Sequence, residues 1–231
     1  MSFIRGMGVG GALVGVTVLL MAAAAPKPAT LDVQRINIRE RDGTLRMVIA
    51  SRDAFPGAFD MGKEIARPDR RDFAGMLFLN DEGTENGGFI WKGQRGRDGS
   101  VDAGASLSLD RYRNDQTLQL LQTDKGGTDT SALILSDRPA QPFDWGKIGK
   151  AGAMKDGPAR DKLYAEAGVG GATRLFVGRA RNRNAVVRLQ DAQRRARLQL
   201  RVAPDGMAAI EFLDAAGKVV RTIGAEAGAE R

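Results

Sequence analysis

The chain has 231 residues, a net charge of +7, and neither cysteine nor histidine. Those two absences exclude disulfides, thiol nucleophiles, a Ser-His-Asp triad, ordinary zinc sites and haem held by His or Cys. The hydrophobic fraction is 42% and the charged fraction 27%, the balance of a globular protein rather than a disordered one.

Arg5 precedes an uncharged run from Gly6 to Ala25, with an apolar centre from Val9 to Met21 and a small-residue end at Ala22–Ala25. A positive start, an apolar stretch and a small-residue end describe a signal peptide over residues 1–25, cut before Ala25. The rival reading is an uncleaved anchor over residues 8–25, because about twenty apolar residues span a bilayer core. Gly11 and Gly15 then form a G-x-x-x-G pair for helix packing in the membrane. Gly6, Gly8 and Gly11 also match a dinucleotide fingerprint, but no strand precedes them and that reading fails. Both surviving readings place the rest of the chain outside the cytoplasm. It is either periplasmic or held at an inner membrane. The Ala-, Gly- and Arg-rich usage suggests a bacterial source.

Residues 26–30 read as a stiff Pro-containing linker. Residues 31–140 are β-rich. Leu31 to Ala50 contains a hairpin with its turn at Asp42-Gly43. Residues 51–73 break the pattern and read as a long excursion. Strand signals return at 75–79, 87–91, 103–110, 117–123 and 132–135. Residues 141–171, rich in Gly, Ala and Lys, read as an insertion with a short helix from Pro158 to Ala167, closed by Gly168. Residues 172–224 form a β-meander with strands at 174–177, 185–190, 196–202, 207–213 and 219–223. Residues 225–231 are a frayed tail. The predicted fold is therefore mainly β: an antiparallel meander of hairpins, or a solenoid-like stack, with one short helical insertion. A recurring apolar–acid–turn pattern, as at Leu189–Arg194 and Phe212–Gly217, is consistent with a repeated unit or with shared turn grammar.

Few catalytic groups remain. No S-x-x-K, G-x-S-x-G or P-loop spacing occurs. Glu82 and Glu85 are the one acid pair considered for glycoside chemistry, and Asn80, Asp81, Glu82 and Glu85 the one oxygen cluster for calcium. Both also read as a hydrated turn. No cofactor and no metal is expected.

Between Arg174 and Arg201 lie nine arginines and a single acid, Asp191. Alternation puts Arg197, Gln199 and Arg201 on one side of a strand and Leu198, Leu200 and Val202 on the other, which reads as a core side. Arg188, Arg194, Arg195, Arg197 and Arg201 are the candidate binding residues for an anionic lipid, glycan or acidic protein, since guanidinium forks suit phosphate and carboxylate. A solvated face balanced by Glu211 and Asp214 is the alternative. Export and the lack of a stacking platform argue against nucleic acid. The expected function is a non-enzymatic structural or interaction protein of the cell envelope, with homo-oligomers in view. A single-span accessory subunit and, more remotely, a carboxylate-dependent hydrolase are the alternatives.

Overall fold

A computed structural model describes residues 30–224. The signal or anchor segment, with Gly11 and Gly15, most of the linker and the tail lie outside the described residues. From Gln34 onward the chain forms one compact unit. No helix among the described residues is long and apolar enough to cross a membrane.

The unit is built on a single antiparallel sheet of twelve strands. They are β1 (Arg35–Arg39), β2 (Leu45–Ala50), β5 (Ala74–Leu79), β6 (Glu85–Arg95), β7 (Val101–Asp110), β8 (Gln116–Lys125), β9 (Thr128–Asp137), β10 (Ala172–Arg179), β11 (Ala185–Gln190), β12 (Ala196–Val202), β13 (Ala208–Leu213) and β14 (Val219–Gly224). They lie in that order, each pairing with the next, and β1 does not pair with β14. The architecture is thus an open meander, neither a closed barrel nor a stack of solenoid coils. A two-stranded hairpin, β3 (Ala58–Asp60) and β4 (Lys63–Ile65), fills the excursion between β2 and β5. Two short helices, α1 (Trp145–Gly152) and α2 (Pro158–Glu166), leave the sheet between β9 and β10.

The recurring sequence pattern is turn grammar. In eight loops the first residue's carbonyl accepts from the N–H three positions on, and its own N–H donates to the carbonyl four positions on. Those loops start at Glu40, Asn80, Gly96, Arg111, Ala180, Asp191, Ala203 and Asp214. The fourth residue is left-handed in seven of them, glycine in five and Arg183 (φ 67°) and Arg194 (φ 66°) in two, whereas in the Arg111 loop the left-handed residue is the third, Arg113 (φ 50°). An Asp or Asn side chain caps most of these loops. Asp191 Oδ1, for example, accepts from Gln193 and Arg195 N–H, and Asp214 Oδ1 from Ala216 and Lys218 N–H. Such short local loops hold each strand in register with the next. Gly178 has a different role. A Cβ there would stand 2.1 Å from the Ser131 carbonyl oxygen, so β9 and β10 can approach only because the position is glycine.

The core is small and sits at the N-terminal end. Leu45, Val48, Ala50, Phe59, Leu77 and Leu79 form one buried cluster, with Ala54, Phe55 and Ile90 packed against it. The β3–β4 hairpin supplies Phe59 and so covers one face of β2 and β5. The helices are tied on separately. Asp144 caps α1 by accepting from the Lys147 N–H, and buried Asn114 donates to the carbonyls of Gln141 (2.8 Å) and Gly168 (3.2 Å).

Candidate functional site

Pairing register assigns every strand residue to one of two faces. On the first face one cross-strand row runs through all twelve strands: Ile36, Ile49, Met76, Phe89, Leu107, Leu120, Leu133, Val177, Val187, Leu200, Ile210 and Ile223. Every member is apolar. The parallel row two residues away reads Ile38, Met47, Phe78, Gly87, Leu109, Leu118, Leu135, Leu175, Leu189, Leu198, Phe212 and Arg221. Only Gly87 and Arg221 interrupt it. Directly opposed apolar side chains at this spacing touch along the row and stabilise the pairing.

This face has no cover among the described residues. Leu120 is 48% exposed, Leu200 43%, Val202 47% and Ile223 45%. Ten of the eighteen large apolar side chains that are exposed lie on it, so the exposure is concentrated rather than scattered. Over β10–β14 the face hollows into a trough of about 560 Å³, lined by residues such as Val187, Leu200, Ile210 and Ile223. Polar groups gather at the strand ends. Gln122, Ser131 and Arg179 stand in the third row, where Arg179 pairs with Asp129. Leu198, Leu200 and Val202, read from the sequence as a core side, are therefore on an open surface. The physical reason is that the single covering hairpin packs on the other face, against Val48 and Leu77.

The second face changes character along the sheet. At β2 and β5 it is apolar and covered. At β6–β8 it is lined by small and polar residues, among them Gly88, Ser106, Ser108 and Gln119. Beside Phe73 and Arg70 these line a groove of about 390 Å³. At β11–β13 it carries a charged ladder. Arg188 Nε donates to Gln199 Oε1 (3.1 Å), Gln199 Nε2 to Glu211 Oε2 (2.5 Å) and Arg201 Nε to Glu211 Oε1 (2.8 Å). Glu211 is buried, and the bonds from Gln199 and Arg201 hold its carboxyl below the usual range.

The five candidate arginines thus divide. Arg188 and Arg201 share the polar face, and Arg197 stands at the bulge where β12 begins. Arg194 and Arg195 lie in the β11–β12 loop. There Arg194 donates to the Gly171 carbonyl (2.6 Å) and Arg195 to Asp191 (2.7 Å). Glu211 and Asp191 are the balancing acids for this stretch.

The turn acids are not brought together. Glu82 accepts from the Tyr112 hydroxyl (2.7 Å), whereas Glu85 is clamped by both terminal nitrogens of Arg70 (2.9 and 2.7 Å). Asp81 pairs with Arg46, and the Asn80 side chain caps its own loop. Among the described residues no group of three or more acids is arranged to hold a metal ion.

A different carboxylate stands out. Asp110 ends β7 in a polar cleft with Glu85, Asp115, Arg70, Arg113 and Trp145. Its Oδ1 is enclosed and has no hydrogen-bond partner. Burial, with the negative charges of Glu85 and Asp115 added, pushes its carboxyl up to about 7, against a weaker opposing pull from Arg70. Nothing in the local sequence marks Asp110, because its neighbours arrive from another strand and a later loop.

No protein-family model matches the chain, and no curated protein resembles it at a significant level.

Proposed function

We propose that this is a non-enzymatic, exported interaction protein of the cell envelope, and that the apolar face of its sheet is the docking surface. The observation that carries the reading is the unbroken apolar row from Ile36 to Ile223. Monomeric proteins seldom expose contiguous apolar patches beyond a few hundred Å². With strands about 4.8 Å apart and rows about 6.6 Å apart, the two apolar rows across twelve strands come to roughly 800 Å². The polar face points the opposite way. Arg197 stays exposed there to an anionic lipid, glycan or acidic protein while the apolar face is engaged, whereas Arg188 and Arg201 are held by Gln199 and Glu211.

The cysteine-free chain allows a direct test, because one introduced thiol is unique. Leu200→Cys reports the apolar face and Arg197→Cys the other side of the same strand. Membrane-impermeant maleimide is added to cells stripped of their outer layers. Arg197→Cys is expected to react at once, and Leu200→Cys only after denaturation. Equal reaction at the two positions rejects the docking surface. No reaction at Arg197→Cys until the membrane is opened rejects export.

A further inference from the structure

We infer that the occupant of the apolar face is a second copy of this chain, packed face to face as a β-sandwich across two molecules. The inference rests on the docking reading above and names its partner. Area is the first argument. Roughly 800 Å² from each copy buries about 1,600 Å² in the pair, the size of a standard specific interface. An isologous contact needs one surface that fits itself, and evenly spaced rows of Leu, Ile and Val do so. Two such sheets pack about 10 Å apart with strand directions offset by roughly 30°.

The charge distribution favours an apolar partner. The first row carries no charge, and the Arg179–Asp129 pair at its margin is already satisfied within the chain. A charged or polar partner would find few groups to pair with: Arg221 on the last strand, and Gln122 and Ser131 in the third row. A lipid surface would favour a run of unpaired cations flanking the apolar face, whereas Arg179 is paired there with Asp129, Asp124 stands opposite Asp129, and Arg221 is a single cation on the last strand. What remains is an apolar surface of matching period with a polar rim, the pattern of a protein–protein interface core. This chain carries one.

Leu120 and Leu133 occupy the sixth and seventh strands of the twelve, so a two-fold axis between the sheets passes nearest to them. The test uses the full chain in intact cells. Two copies bearing tags of different mass are produced together, both with Leu120→Cys, and treated with a permeant bismaleimide about 10 Å long. A product carrying both tags is expected. Thr222→Cys, on the polar face, is expected to give none. Adding Leu200→Glu, at a position 43% exposed in the single chain and so not needed for its fold, is expected to cut the mixed product at least about tenfold.

Two results overturn the inference and differ in reach. If Leu120→Cys is shielded from a monofunctional maleimide yet gives no mixed-tag product, the face is docked on something else, and the docking surface survives without the second copy. If Leu120→Cys reacts as freely as Thr222→Cys, both readings fall.

Discussion

Leu77→Ala is expected to destabilise the protein by roughly 2–5 kcal/mol, the range for deleting a buried leucine that leaves a cavity. Leu77 is 2% exposed, pairs in register with Val48 of β2, and belongs to the same buried cluster as Phe59 of the covering hairpin. The reason for placing the expectation high in that range is the size of the core. Six residues form the main cluster, and the hairpin that closes it has strands of only three residues each. A void at Leu77 loosens the cluster that Phe59 joins, and the backbone around Val48 is held on both sides by β1 and β5 and so collapses little into it. In thermal melts the midpoint should fall by about 10 °C, since a domain of this size shifts by a few degrees per kcal/mol. A change below about 2 °C would mean that the sheet is stabilised elsewhere.

Asp110→Asn is expected to act in the opposite direction, and only above acidic pH. The Asp110 carboxyl titrates near 7 in the folded protein and near its ordinary value of 3.8 when unfolded. The folded state therefore binds the proton more tightly. Below about pH 4 both states are protonated and the carboxyl costs nothing. As pH rises from about 4 to 7 the unfolded state gains by ionising first, and stability falls until it levels off above 7. About three pH units of difference correspond to a loss of up to about 4 kcal/mol. An amide cannot ionise, so the variant should match the wild type near pH 3.5 and exceed it increasingly toward pH 8. Denaturant midpoints across that range measure the divergence. Parallel curves would show that water or a counter-charge reaches the carboxyl in solution.

The parts of the fold that depend on neighbours in sequence were legible. The bounds of β11 and β12 coincide with the runs read from alternation, because Asn182 and Asp191 cap the loops at their ends through local hydrogen bonds. Strands β6 to β9 were read short, since their ends are polar and carry no apolar alternation, as at Lys92–Arg95 of β6, Asp124–Lys125 of β8 and Thr128–Ser131 of β9. The β3–β4 hairpin escaped notice because its turn places Met61, at φ 49°, where Asn or Asp is usual. Helix α1 was hidden by Gly146, Gly149 and Gly152. Its one local signal was Asp144, three residues before the Lys147 N–H that its side chain caps.

The surfaces were half legible. Alternation separated Leu198, Leu200 and Val202 from Gln199 and Arg201 correctly, yet alternation cannot say which side is covered. That depends on where the one hairpin packs, a contact between β3 and strands far from β12. The grouping of Asp110 with Glu85 and Asp115 depends likewise on register between β6 and β7. Residue periodicity carries no such information.

Trp91 offers the most direct view of the apolar face. It lies beside Phe89, their ring centroids 5.2 Å apart, and is 42% exposed in the single chain. The chain has two tryptophans, so Trp145→Phe leaves Trp91 as the sole reporter. Its emission and acrylamide quenching are followed in detergent-free solution over a dilution series. A covered face gives blue-shifted emission and poor quenching at micromolar concentration, both relaxing toward solvent values on dilution. Solvent-like emission with free quenching at every concentration would contradict a covered face.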